Sequence, residues 1–325
     1  MMKTTLTIMA LALATTASAQ ENPLWLRHCA ISPDGSTVAF AYKGDIYTVP
    51  ATGGNARQLT TNSAHDSYPV WSPDSKQLAF CSNREGSMDV YVMNREGGAP
   101  RRLTTNSGTE TPIAFKDNNT VLYVSSIMPT AQSILFANGS LPQVYEVSTN
   151  ASRPRLFSAL PMMDISIRPN GDLLYHDQKG YEDPLRKHHR SPITRDIWLR
   201  RAGKYTKLTN FNGEDRTPVW AAQGDSFYYL SEEDGTFNVY KRNIDGTDKQ
   251  QLTRHTTNPV RFLTAATDGT LCYGYDGEIY TLKQGAQPQK LKVNIVTDKT
   301  DKDLDRQTLF TGATEISLSP DGKEL

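Results

Sequence analysis

Apolar residues in this chain arrive in short bursts, each closed by a turn-forming cluster, and the bursts recur in one order. The first copy sets Cys29-Ala30-Ile31 before Ser32-Pro33-Asp34-Gly35. Val38-Ala39-Phe40, Asp45-Ile46-Tyr47-Thr48-Val49, Thr52-Gly53-Gly54 and Gln58-Leu59-Thr60 follow. The second copy reads Val70-Trp71, Ser72-Pro73-Asp74-Ser75, Leu78-Ala79-Phe80, Asp89-Val90-Tyr91-Val92-Met93, Glu96-Gly97-Gly98 and Arg102-Leu103-Thr104. In four weaker copies the second strands are Val121-Leu122-Tyr123, Leu173-Leu174-Tyr175, Phe227-Tyr228-Tyr229 and Leu271-Cys272-Tyr273. The third strands are Val144-Tyr145, Ile197-Trp198, Val239-Tyr240 and Ile279-Tyr280, and the fourth end at Leu156, Leu208, Leu252 and Leu291. A period of about 40–55 residues is that of propeller blades.

Each piece has a physical reason. In Ser-Pro-Asp-Gly the proline presets φ at the second position of a type I turn, and glycine fits the fourth. Gly-Gly before the last strand supplies the positive φ of a tight hairpin. The second strand is apolar at consecutive positions because neighbouring blades cover both its faces. The third strand opens on a polar residue and then sets an aromatic beside a β-branched residue, a good cross-strand pair. Gly, Pro and Asn clusters interrupt every apolar run, which excludes a helical alternative.

The pattern therefore predicts an all-β fold, a six-bladed β-propeller of four-stranded antiparallel blades over residues 20–296. The repeats run in one phase from Leu26 to Leu291 with no spare outer strand at the start. The ring is expected to close by blade packing alone, without strand exchange. Residues 297–312 are polar and charged like a linker. Glu315-Ile316-Ser317-Leu318-Ser319-Pro320-Asp321-Gly322 repeats the opening strand and turn. Residues 313–325 thus read as the truncated start of a second propeller, and the natural protein is expected to continue.

Composition narrows the setting. Lys+Arg and Asp+Glu both number 35, so the net charge is zero and no field draws in nucleic acid or anionic membrane. After residue 20 no apolar window approaches the length of a membrane span. Lys3, the apolar run Leu6 to Ala14 and Ala17-Ser18-Ala19 form a secretory signal peptide over residues 1–19, so a periplasmic or secreted location is expected. The three cysteines, Cys29, Cys81 and Cys272, sit in apolar strand patterns and read as buried thiols; a Cys29–Cys272 bridge between first and last blades is the alternative.

The ordered motifs resemble the propeller repeat of periplasmic TolB, which also occurs in several peptidases. One segment is sharper. Tyr175 to His189 contains Arg186-Lys187-His188-His189 and leads into Arg195-Asp196-Ile197-Trp198; it is similar to the matching insertion of bacterial tricorn protease homologues. The restart at Glu315 fits the same family, in which a seven-bladed propeller follows a six-bladed one. The resemblance implies the substrate- and product-guiding propeller of a secreted serine peptidase that trims peptides, with nucleophile and base in other domains. No Gly-x-Ser-x-Gly elbow occurs here, so this segment is expected to be non-catalytic. It implies peptides or proteins as partners, together with the C-terminal domains of the same chain, and allows homo-oligomers of the full-length protein. The alternative is a TolB-like periplasmic protein-binding propeller. TolB, however, carries a separate α/β domain before its propeller, whereas here the first blade starts just after the cleavage site.

Two sets of residues are candidates for binding. Long insertions between second and third strands, Ser125 to Leu141 and Asp177 to Thr194, emerge on the face that carries the connections between blades. The second holds Arg186, Lys187, His188, His189 and Arg190 and leads to Arg195, cationic groups suited to a peptide carboxylate or to docking against other domains. Asp66, Glu110 and Asp215 each lie five residues before Trp71, Phe115 and Trp220, at the start of the innermost strand. They read as an acidic channel mouth or, preferably, as carboxylates bonded to the neighbouring blade's turn. Trp71 and Trp220 read as wedges between blades. No zinc motif appears, and no metal or cofactor is expected.

Overall fold

The computed structural model describes residues 19–21, 23–126, 141–180, 191–296, 317 and 319–322. The signal segment up to residue 18, the basic run 186–190 and the linker from residue 297 lie outside the described residues.

Blade one comprises β2 (Arg27–Ile31), β3 (Thr37–Tyr42), β4 (Asp45–Pro50) and β5 (Gly54–Gln58), after a short β1 (Ala19–Glu21). Blade two is β6 (Asp66–Trp71), β7 (Gln77–Ser82), β8 (Asp89–Asn94) and β9 (Gly97–Arg102). Blade three is β10 (Glu110–Asp117), β11 (Thr120–Ser125), β12 (Gln143–Ser148) and β13 (Arg155–Ser158). Blade four is β14 (Met162–Ile167), β15 (Leu173–Asp177), β16 (Ile197–Arg201) and β17 (Lys204–Lys207). Blade five is β18 (Asp215–Trp220), β19 (Ser226–Ser231), β20 (Asn238–Asn243) and β21 (Gln250–Gln251). Blade six is β22 (Arg261–Ala265), β23 (Leu271–Tyr275), β24 (Glu278–Leu282) and β25 (Gln289–Lys290), followed by β26 (Val293–Val296). Each blade is an antiparallel meander in chain order, and no helix occurs among the described residues. The first strands β2, β6, β10, β14, β18 and β22 pack each against the next and back to the start, which encloses a central channel.

The local devices act as the repeat predicts. The Ser32 hydroxyl donates to Asp34 at 2.5 Å, and the Gly35 N–H closes the turn on Ser32 C=O at 2.8 Å. The same turn recurs in the separate C-terminal unit, where Ser319 donates to Asp321 at 2.6 Å and Gly322 N–H to Ser319 C=O at 2.9 Å. Second strands are buried along nearly their whole length, as in β3, β7 and β19. Each blade sets an aromatic of its second strand opposite one of its third: Phe40–Tyr47, Phe80–Tyr91, Tyr123–Tyr145, Tyr175–Trp198, Tyr229–Tyr240 and Tyr273–Tyr280. The stacked pairs have ring centroids about 5.5–6 Å apart, within the range of favourable aromatic contact.

The closure differs from the sequence expectation. Blade packing does not act alone, because β26 returns to blade one and pairs in parallel with β5: Val293 opposite Gly54, Asn294 opposite Asn55 and Ile295 opposite Ala56. Blade one is thereby a six-stranded sheet in the order β1-β26-β5-β4-β3-β2. Val293 and Ile295 are buried in one cluster with Val38, Phe40, Cys29 and Cys272, so the returning strand seals the seam between blades one and six. All three cysteines are free and buried. At this seam the Cys29 thiol donates to the Phe262 carbonyl at 3.7 Å, and the neighbouring Cys29 together with burial pushes the Cys272 thiol well above its ordinary value.

The tryptophans are wedges. Trp71 is buried and its Nε1–H donates to Ala30 C=O of the preceding blade at 2.9 Å. Trp220 is also buried and carries the Arg168 guanidinium over its ring at 3.8 Å, but its Nε1 has no partner. Trp71→Phe is therefore expected to cost about 1 kcal/mol more than Trp220→Phe, the net contribution of one hydrogen bond. Urea unfolding of the two variants measures the difference; equal costs would remove the Ala30 contact from the account.

Candidate functional site at the channel collar

The innermost strands carry a shared irregularity. In five blades two residues oppose one on the second strand, the count of a β-bulge. His28-Cys29 face Phe40, Tyr68-Pro69 face Phe80, Asp164-Ile165 face Tyr175, Thr217-Pro218 face Tyr229, and Phe262-Leu263 face Tyr273. The first residue of each pair is left-handed: His28 at φ 52, Tyr68 at 55, Asp164 at 48, Thr217 at 49 and Phe262 at 58. Blade three holds Pro112 at this position; its ring locks φ negative, and the bulge there shifts to Ile113. A non-glycine residue in this conformation costs about 1–2 kcal/mol. Strain of this kind clusters at ligand clamps and functional sites.

These five side chains form a collar around the channel. The His28 ring stacks on Tyr68 with centroids 3.8 Å apart and meets the edge of Phe262 at 4.9 Å. On the other side the Thr217 hydroxyl donates to Asp164 Oδ2 at 2.7 Å. The Tyr68 hydroxyl is raised above its ordinary value by enclosure first, then by Cys81 and by the Asp164 carboxylate. Blades two and four are not neighbours, so this coupling runs across the channel. Tyr68 is 45% exposed, the Asp164 side chain 44%, and both remain accessible.

Protonation leaves the collar with one carboxylate. Burial, then Arg27 and His65, hold His28 down to about 4, so its ring is neutral near pH 7. His176, buried behind Asp164 with Nδ1 3.6 Å from Oδ2, is held well below its ordinary value by burial, then by Arg195 and Arg216. Its Nδ1 accepts the Thr217 N–H at 3.3 Å, which places its remaining proton on Nε2. Beside the collar a depression of ≈ 680 Å³ is lined by Leu24, Trp25, Arg27, His28, Tyr42 and His65. Leu24 and Trp25 are 55% and 68% exposed there. Among the described residues no group of three or more His, Cys, Asp or Glu side chains is placed to hold a metal ion.

The acids singled out from sequence lie elsewhere. Asp66, Glu110 and Asp215 are buried at 0–2% exposure, so they do not form an open channel lip. Their backbone N–H groups donate to the preceding blade, at Gly44, Met88 and Arg195 carbonyls, 2.8–3.0 Å away. Arg84 Nη2 donates to both oxygens of the Asp66 carboxylate, at 3.0 and 2.8 Å. Asp215 is pushed up to about 6 by burial, against hydrogen bonds from Ser231 and Thr209. The repeated Leu-Thr that closes a blade belongs to the same junctions. Thr60, Thr104, Thr209 and Thr253 accept the N–H of Ile46, Val90, Ile197 and Val239 at 2.8–2.9 Å. Arg195 is also displaced from its expected role. It is 8% exposed and pairs with buried Glu214 at 3.5 Å. Arg186, Lys187, His188, His189 and Arg190 fall outside the described residues.

A closed ring of six four-stranded antiparallel meanders, the first extended by β26 and β1, defines the class as a β-propeller of the kind found in the tricorn protease and in TolB. The sequence matches the tricorn protease N-terminal beta propeller domain family over residues 23–288, and the chain belongs to that family. It is 28% identical over 271 residues to tricorn protease homolog 1 of Streptomyces coelicolor, covering 81% of this chain and 24% of that protein. The crystal structure of the tricorn protease superposes with a TM-score of 0.69 at 21% identity, covering 82% of this chain and 26% of that one. TolB from Acinetobacter baumannii shares the fold with a TM-score of 0.59 at 13% identity, covering 81% of this chain and 67% of that one. The chain thus spans about a quarter of the length of the tricorn-type proteins it matches.

Proposed function

We propose that this chain is the substrate- and product-guiding propeller of a secreted, tricorn-like serine peptidase that trims peptides, and that it is itself non-catalytic. The observation that carries this reading is the collar: five strained side chains of unlike chemistry converge on the channel from five blades, with Tyr68 and Asp164 accessible. The bulge turns Tyr68 and Asp164 toward the channel, and strain of this kind clusters at ligand clamps. Membership of the tricorn N-terminal propeller family supports the peptide as the cargo. The signal-like segment around Lys3, Leu6 to Ala14 and Ala17-Ser18-Ala19 supports export. The remaining domains of the full-length protein would supply nucleophile and base, and the face carrying the insertions of blades three and four would meet them.

A short peptide bearing a benzophenone side chain tests the passage. Irradiation with the chain is expected to attach it to His28, Tyr68 or Phe262, as mapped by mass spectrometry, without hydrolysis of the peptide. Labels confined to the outer blade edges would remove the channel from the path, and cleavage that follows the protein through purification would refute the non-catalytic part.

A further inference from the structure

The collar is two-sided in chemistry. One arc is aromatic, with the neutral His28 ring in contact with both Tyr68 and Phe262. The opposite arc holds the Asp164 carboxylate. The Thr217 hydroxyl donates to its Oδ2 at 2.7 Å and fixes the group, while Oδ1 takes no bond among the described residues. No lysine or arginine pairs with Asp164 among the described residues. Its nearest ring, His176, is held neutral by burial, so the negative charge is not cancelled. Of the arginines on flanking positions, Arg216 is ion-paired with Glu214 and lies over Phe237 at 4.9 Å, and Arg27 lies over Trp25 at 5.3 Å. A carboxylate oxygen without a partner, on a collar whose other arc is aromatic, is the pairing that selects an organic cation. The carboxylate gives a charge-assisted hydrogen bond, and the ring faces attract positive charge.

We propose that the collar binds a primary ammonium group, seated between Asp164 Oδ1 and the Tyr68–His28–Phe262 arc. This rests on the guiding function above and gives it a direction: the chain being passed is held by its free amino end or by a lysine side chain. Aromatic faces without the carboxylate would grip any peptide; the carboxylate makes the grip depend on charge.

Calorimetric titration of the 325-residue chain with trialanine amide and with its N-acetylated form tests this without any variant. Acetylation is expected to weaken binding by about tenfold or more, the scale of one charge-assisted contact. Asp164→Asn is expected to lower the affinity for the free amine to that for the acetylated peptide, and to leave the latter unchanged. An acetylated peptide with one lysine separates the two ammonium sources; recovery of affinity assigns the side chain as a second ligand, and no recovery restricts the site to the amino end. Equal affinities for free and acetylated trialanine amide, or for native and Asp164→Asn protein, would overturn the proposal. If collar crosslinks persist in that case, guidance through the channel survives it; absence of both crosslinks and binding overturns guidance as well.

Discussion

Gly53→Ala is expected to destabilise the protein by about 2–5 kcal/mol, although glycine to alanine is the smallest of changes. Gly53 sits at φ +87, and a Cβ there would lie 2.7 Å from the backbone oxygen of Lys292, the residue that leads into β26. The left-handed conformation alone costs a non-glycine residue about 1–2 kcal/mol. Forcing backbone apart in a packed seam adds about 1–3 kcal/mol. The Lys292 carbonyl also accepts the Gly54 N–H at 2.8 Å, so the strand cannot retreat without losing that bond. Gly97 is the control. It occupies the same hairpin position in blade two at φ +83, but its added Cβ would come no nearer to a neighbour than 3.6 Å, at the Leu59 Cδ2. Gly97→Ala should thus carry the strain without the collision and cost about 1–2 kcal/mol. Denaturant unfolding of both variants isolates the contribution of the returning strand. Equal losses would mean that β26 adds nothing to closure and that blade packing holds the ring by itself.

What could be read from the sequence and what could not divides along physical lines. Turns, second strands and Gly-Gly hairpins each impose one residue type on blade after blade, so they repeat visibly, and the six-bladed ring followed from them. The returning strand imposes almost nothing. Val293-Asn294-Ile295-Val296 needs only alternating apolar residues beside an edge, and its partner lies far off in the chain, with Asn294 opposite Asn55 at a separation of 239 residues. The collar leaves even less trace, because a bulge turns one residue toward the channel whatever its type. His28, Tyr68, Asp164, Thr217 and Phe262 share no chemistry, only their place three residues before the end of the innermost strand, at Ile31, Trp71, Ile167, Trp220 and Ala265. The signal that could have found them is positional: Tyr68-Pro69 and Thr217-Pro218 mark the same point in two blades. The acids at strand starts were visible as a repeat. Their burial was not, since it depends on Arg84, Thr104 and Thr209 reaching them from outside their own strands.

Glu110→Gln is expected to stabilise the protein by about 3 kcal/mol at pH 8 and to change it little at pH 4.5. Glu110 is 1% exposed, and neither its Oε2 nor the Asp89 Oδ1 has a hydrogen-bond partner of fixed protonation among the described residues. Burial pushes its carboxyl up from 4.5 to about 7; the Thr104 hydrogen bond opposes this, and Asp89 raises it further. Asp89 is itself raised by burial, against the pull of Arg102 at 2.8 Å. The two acids therefore hold a proton between them, with Glu110 donating. A carboxyl whose value is raised on folding stabilises the native state below its unfolded value near 4.5, and that stabilisation is lost as pH rises through about 7. Each tenfold gain in proton affinity on folding is worth about 1.4 kcal/mol, so the rise from 4.5 to about 7 sets the loss at about 3 kcal/mol. Glutamine keeps the donor toward Asp89 and the acceptor toward Thr104 but has no proton to give up, so its stability should not fall over this window. Urea midpoints of the two proteins across a series from about pH 4.5 to 8 measure the divergence. A constant difference across the series would show that Glu110 binds its proton no more tightly in the folded than in the unfolded chain and that no proton is shared at this junction.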